Sequence, residues 1–171
     1  MTTPHRAGAY AEGDLGTVTI RRATRADVPS LVELEAAFPG DRISRASFQR
    51  FLASSRTHVW VAAGEHDATQ LHGDAIISFP ARTRTAHLLS LVVGPHARRR
   101  GVALALLSAV EEDAIARGYR AIRLDVRTDN DAARRLYGRA GYHANALVPR
   151  YYEDGCDAVR MAKTLPEGTI T

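Results

Sequence analysis

The sequence predicts one mixed α/β domain. Three observations lead there. Short apolar strands and helical stripes follow one another in the order β-α-α-β-β-β-α-β-α-β-β. One run, Thr85 to Val93, is nearly unbroken in apolar character and reads as a strand covered on both faces. Two helical segments after it are each closed by a glycine. A mixed sheet with helices on both faces is the economical way to bury such a set. The chain has 171 residues, close to the usual length of a single domain. Residues 17–165 hold the whole pattern and read as one domain. Residues 1–16, with three glycines and no apolar period, read as a flexible N-terminal tail, and 166–171 as a short C-terminal one.

Each element has its own signal. Thr17 to Arg22 alternates, with Val18 and Ile20 on one side, and reads as a strand. Thr24 and Asp27 have the spacing of a capping pair. Val28, Leu31, Val32 and Leu34 then form a helical stripe to about Phe38, broken by Pro39-Gly40. Ser44 can cap a second short helix carrying Phe48, Phe51 and Leu52. His58 to Ala63 reads as a strand, Gly64 to His72 as a hairpin loop, and Asp74 to Pro80 as the partner strand. After Thr85–Val93 comes a long helix, Gly101 to Arg117, with Leu104, Leu107, Ala109 and Ile115 expected inward and Gly118 beyond its end. Arg120–Val126 is a strand and Asn130–Ala140 a helix closed by Gly141. Tyr142–Leu147 and Cys156–Lys163 are the last two strands.

Composition narrows the function classes. The chain is 45% hydrophobic and 25% charged, as folded domains are. One cysteine, Cys156, excludes an intrachain disulfide and a Cys-rich zinc site. The seven histidines show no metal spacing, so no metal is expected. No apolar run approaches the ~18 residues of a membrane span, and Met1–Gly16 lacks the apolar core of a signal peptide. The expected setting is cytoplasmic, without a membrane partner. A net charge of +4 is too small to suggest nucleic acid, and no aromatics interleave the basic run at Arg98–Arg100. Lys163 is the only lysine among 23 basic residues.

That basic run carries the most information. Arg98, Arg99, Arg100 and Gly101 lie between a strand and the start of the long helix. A helix N-terminus is already electropositive, so three cations there are unfavourable, and its first amides have no intrahelical acceptor. A bound anion resolves both problems. Gly101, Ala103 and Ala105 keep the approach to the backbone open. The residues alone allow two readings, a phosphate or pyrophosphate site and three solvated arginines. The spacing fits neither a P-loop nor a Rossmann fingerprint.

Arg98-x-x-Gly101-x-Ala103 resembles the acyl-coenzyme A signature of the GNAT family of N-acetyltransferases. Val92 and Val93 before it, and Asn130, Tyr137, Gly141 and Tyr142 after it, resemble the same family from about Val18 to Leu165. The resemblance implies a GNAT fold: a central mixed, largely antiparallel sheet of six or seven strands, splayed at its centre and flanked by about four helices. It implies acetyl-CoA as the acyl donor. Arg98, Arg99, Arg100, Gly101, Val102 and Ala103 would hold its pyrophosphate. Leu91, Val92 and Val93 would pair with the pantetheine arm, assisted by Asn130, Ala133 and Tyr137. LDVRTDN (Leu124–Asn130), Leu136-Tyr137 and RYYEDGCDAVRM (Arg150–Met161) resemble the RimI-like Nα-acetyltransferase branch, which acetylates protein N-termini. That narrower likeness implies acceptor contacts at Phe38, Ser90, Asp125, Tyr151 and Tyr152. Asp125 stands where the branch has Glu or His, Ser90 where it has Asn, and no aromatic follows Arg42.

Two residues would carry the chemistry. Tyr137 would be the general acid that protonates the departing thiolate, the alternative being a core tyrosine, because Ala133, Leu136, Tyr137 and Ala140 form one helical face. Asp125 would be the base that deprotonates the acceptor amine, directly or through water. The alternative is an ion pair with Arg123 or Arg127 on the same strand face, and His87 is a reserve base. Asn130 would also cap its helix, and Cys156 reads as inert. The expected reaction is direct transfer in a ternary complex to a primary amine, a protein or peptide N-terminus first. A small-molecule amine (polyamine, amino sugar or antibiotic) is one rival, and a non-catalytic acyl-CoA sensor or interaction module another. The protein is expected to be a monomer or homodimer.

Overall fold

The computed structural model describes residues 17–38 and 42–168. Seven strands and four helices follow the expected order: β1 (Val18–Arg22), α1 (Val28–Ala36), α2 (Arg45–Ala53), β2 (Thr57–Gly64), β3 (Leu71–Ser78), β4 (Thr85–Val93), α3 (Val102–Ala116), β5 (Ala121–Arg127), α4 (Asp131–Arg139), β6 (His143–Val148) and β7 (Ala158–Thr164). Single 3-10 turns precede α1 and follow β4. The strands run β1-β2-β3-β4-β5-β7-β6 across the sheet. β1 with β2, β2 with β3, β5 with β7 and β6 with β7 are antiparallel. β4 and β5 are parallel, in register only over Thr85–His87 with Ala121–Arg123. The break expected at Pro39-Gly40 lies outside the described residues.

The described residues divide into two compact units, one within 17–78 with 90–112, the other 79–89 with 113–168. In the first, α1 and α2 pack on β2 and β3 around Val28, Leu31, Phe48, Val59, Val61 and Ile76. Leu31 and Phe48 are fully buried, and each such side chain contributes about 1.5–3 kcal/mol. Both helix starts follow their local chemistry. Asp27 accepts from the Thr24 amide at 2.7 Å and holds Arg21 through two contacts at 2.8 and 2.9 Å. Ser44 Oγ accepts from the Ser47 amide at 3.1 Å. In the second unit, Ile122, Leu124 and Val126 of β5 and Ala158, Val159 and Met161 of β7 are buried, while the alternate residues of β5, and Arg160 and Ala162 of β7, are only half-buried.

Three expectations need correction. β3 begins at Leu71, so His72 belongs to a strand and not to the hairpin loop. Its imidazole is buried, and its carbonyl accepts from the Gly94 amide at 2.8 Å. β4 is not covered on both faces: Ala86 and Leu88 are buried, but Leu89 is 50% exposed. In α3 the inward face is Val102, Ala105, Leu106, Leu107, Ala109, Val110 and Ala114, and Leu104 is 45% exposed. Leu104 shares an outward stripe with Ser108 and Glu112, four residues apart. The first two turns of α3 are apolar almost all round, so hydrophobicity alone does not choose the face; the polar residues further along do.

Candidate active site

In the first unit, the segment from Val93 to Val102 turns sharply before α3. Arg99 has φ +63° and Gly101 φ +77°. Only glycine adopts the second without a Cβ penalty, and a non-glycine residue in the left-handed region costs about 1–2 kcal/mol. Left-handed residues that alternate with ordinary ones turn successive amides toward one side, the geometry of an anion-binding nest. α3 begins at Val102, and its opening amides have no intrahelical acceptor.

The arginines divide their roles. Arg98 turns back, its Nε donating to the Val93 carbonyl at 3.4 Å and its guanidinium lying 5.4 Å above the Phe38 ring. Arg99 is exposed. Arg100 Nη1 is buried and has no hydrogen-bond acceptor among the described residues. None of the three is paired with a carboxylate among the described residues. A buried guanidinium donor without an acceptor, beside a cationic backbone turn, fits a diphosphate ligand. Phe38, expected against the acceptor, is the shelf under Arg98. Beneath this segment a Cβ on Gly73 would lie 2.7 Å from the Val92 carbonyl oxygen and 3.1 Å from Leu106 Cδ1, so only glycine lets β3 pass there. Ser90 and Leu91 to Val93 are half-buried.

The same unit holds a buried polar group that periodicity did not reveal. Asp74 is fully buried, Glu35 and His72 nearly so. Among the described residues, neither Asp74 oxygen and neither His72 ring nitrogen has a hydrogen-bond partner, nor does Glu35 Oε1. Burial, and then the charge of Glu35, hold the Asp74 carboxyl well above the usual carboxylate range. Burial raises Glu35 as well. Burial, and then His96, lower His72.

In the second unit, Asp125 is paired, but not with the partners the strand face suggested. Arg160, opposite it on β7, donates from Nε at 2.8 Å and from Nη2 at 3.3 Å. Arg127 turns instead to Asp129 (3.1 and 3.2 Å) and Asp154 (2.6 and 3.2 Å), and lies 4.8 Å from the Tyr152 ring. Those contacts hold Asp129 and Asp154 below the usual carboxylate range. The loop between β6 and β7 is also tied internally. The Tyr151 and Tyr152 amides share the Cys156 carbonyl at 3.1 Å, and the Arg150 amide donates to Asp157 at 2.9 Å. Tyr151 and Tyr152 stack edge-to-face with centroids 5.0 Å apart. Burial, and then the Asp125 charge it faces, push the Tyr151 phenol up; burial brings Tyr152 to about 12.

Tyr137 is 8% exposed and packs edge-to-face on Tyr142 at 5.8 Å. Burial pushes its phenol well up, so it stays protonated at neutral pH and keeps its O–H as a donor. Asn130 Oδ1 accepts from the Ala133 amide at 3.1 Å, which makes it the cap of α4 and occupies the Ala133 donor. Cys156 Sγ lies 3.5 Å from the Thr128 hydroxyl and from the Asp157 carbonyl. Sequence reasoning missed Arg160 and the Arg127 clamp. The antiparallel pairing of β5 with β7 was the signal for the first, because it sets Arg160 opposite Asp125.

Residues 20–165 match the acetyltransferase (GNAT) domain family. The chain is 38% identical to the N-alpha-acetyltransferase RimI of Mycobacterium tuberculosis over 155 residues, 88% of this chain and 94% of that one. It spans about half the length of several other curated relatives it matches. Among solved structures it resembles Ard1 from Thermoplasma volcanium, with TM-score 0.77 and 29% identity over 88% of this chain and 99% of that one. It also shares the fold of the ribosomal-protein-S18-alanine N-acetyltransferase from Escherichia coli, with TM-score 0.77 and 24% identity over 91% of this chain and 99% of that one. Motif, element order and family match agree: this chain belongs to the GNAT family of acetyltransferases.

Proposed function

We propose that the chain transfers the acetyl group of acetyl-CoA to the N-terminal α-amine of a protein or peptide. The observation that carries this reading is the clamped β6–β7 loop, which presents Tyr151 and Tyr152 beside the Asp125–Arg160 pair. An exposed and a half-buried tyrosine on a braced loop suit a peptide backbone. The names of relatives, RimI at 38% identity among them, support the same acceptor class.

The protonation chemistry also favours an α-amine. Both Asp125 oxygens already accept from Arg160, so the carboxylate is better placed to hold a water or the amine than to strip a tightly held proton. An α-amine with a pKa near 7.8 is roughly one-seventh neutral at pH 7, whereas a lysine amine near 10.4 is neutral in fewer than about one molecule in a thousand. Weak assistance from Asp125 through water suffices for the first and not for the second. His87, lowered by burial, stays neutral at pH 7 and is the reserve acceptor.

Acetyl-CoA supplies the activated acyl group. The backbone turn at Arg99–Ala103 and the Arg100 guanidinium would hold its diphosphate. Tyr137 would donate a hydrogen bond to the leaving sulfur. Its raised pKa makes it a poor source of a free proton, so its effect is to stabilise developing thiolate charge while the amine proton is lost through water.

A polyamine acceptor would call for an acidic surface, yet Arg123, Arg127 and Arg160 share the strand face with Asp125. Thiol release measured against free N-terminal peptides, the same peptides with blocked N-termini, and a panel of polyamines and amino sugars tests the reading. Turnover with free N-termini and loss on blocking is the expected result. Turnover with small amines alone contradicts it, and acetyl-CoA binding without any transfer favours the sensor.

A further inference from the structure

We infer that Arg123 selects acceptors with a carboxylate at their second residue. The inference rests on the N-terminal reading above and names the acceptor class within it. Side chains alternate along a strand, so Arg123, Asp125 and Arg127 of β5 share one face. Cross-strand register adds His87 of β4, opposite Arg123, and Arg160 of β7, opposite Asp125. Ile122, Leu124 and Val126 take the other, buried face. The charged face is half-buried, and the exposed Tyr151 stands beside it.

Accounting for the charges on this face leaves one residue over. Arg160 is held by Asp125, and Arg127 by Asp129 and Asp154. Arg123 makes no ion pair or hydrogen bond with any described residue. Its field nevertheless reaches the neighbouring groups, since it opposes the protonation of His87 and the upward shift of Tyr151. A half-buried guanidinium without an anion attracts a carboxylate through its planar fork.

Spacing sets which acceptor residue it meets. Arg123 is two residues from Asp125, about 6.8 Å along the strand. With the α-amine at Asp125, a first-residue carboxylate is held too close to its own amine to span that length. The second Cα lies about 3.8 Å further along the chain, and an Asp or Glu side chain there covers the rest. A lysine at that position would face a like charge.

Three peptides that differ only in Asp, Ala or Lys at the second position test this, with kcat/KM measured for the wild type and for Arg123→Lys, Arg123→Gln and Arg123→Glu. The Asp-to-Lys ratio is compared within each protein, so a loss of folded enzyme cancels. The wild type is expected to favour Asp over Lys by about tenfold or more, or about 1.4 kcal/mol, and less at high salt. Arg123→Lys keeps the order, Arg123→Gln brings the ratio toward one, and Arg123→Glu reverses it. A wild type indifferent to the second residue, or an acid preference that survives Arg123→Glu, overturns the inference while leaving the N-terminal reading intact. Failure to acetylate any of the three peptides, with small amines acetylated instead, overturns both.

Discussion

Tyr137 and Asp125 were legible as candidates from a motif, but each had a structural alternative, and both alternatives hold in part. Tyr137 is a packed aromatic against Tyr142 whose buried phenol remains a donor. Asp125 is an ion-paired carboxylate, and its partner Arg160 was invisible until β7 was set in register with β5. If Tyr137 stabilises the leaving sulfur, Tyr137→Phe lowers kcat by about 10²-fold or more, the lower range for positioned acid–base groups. The affinity for acetyl-CoA should barely move. A variant with near wild-type kcat on a good acceptor removes the role. Asp125→Asn keeps the shape but weakens the hold on Arg160, and should lower kcat/KM at pH 6.5 more than at pH 8.5, where the α-amine is already neutral. An equal loss at both pH values would assign Asp125 to structure alone.

At the scale of elements, strands and helices were read from period and punctuation. Ser44, Asn130, Gly118 and Gly141 mark the ends they were expected to mark. Leu107 and Ala109 of α3 lie inward as expected, but Leu104 was misplaced because Val102–Val110 is apolar nearly all round. That register has a direct check in urea unfolding. Leu104→Lys should change stability by little, while Leu106→Ala should cost about 2–5 kcal/mol; the reverse order would restore the helix face the sequence suggested. The β6–β7 loop was legible as a motif but not as a braced object, because its clamp joins Arg127 to Asp154 across 27 positions. Arg127→Ala should raise the acceptor KM severalfold with little change in KM for acetyl-CoA. Equal increases in both would show that the clamp does not serve the acceptor.

Across the whole molecule, the element order and the family were legible, and the buried acids were not. Asp74 reads as a strand residue in the sequence, but its complete burial does not show there: it lies on β3 with Glu35 facing it from α1, His72 on its own strand and His96 in the turn after β4. Its raised pKa means the folded chain keeps a proton that the unfolded chain releases. Stability therefore falls as pH rises from the unfolded value near ~4 through the folded one. His72, with a lowered pKa, acts the opposite way and weakens the fold as pH drops below about 6.5. Thermal melts from pH 5 to 8 should show a decline in Tm that is shallower in Asp74→Asn than in the wild type. Parallel curves would mean that Asp74 does not titrate with folding.

The family assignment leaves one decisive choice, the amine that is acetylated. A peptide with one free α-amine and one free lysine, incubated with acetyl-CoA and the enzyme, can be sequenced by mass spectrometry to locate the acetyl group. The account predicts a single acetyl on the terminal nitrogen. An acetyl on the lysine, or an unmodified peptide under conditions where a polyamine is acetylated, would contradict it.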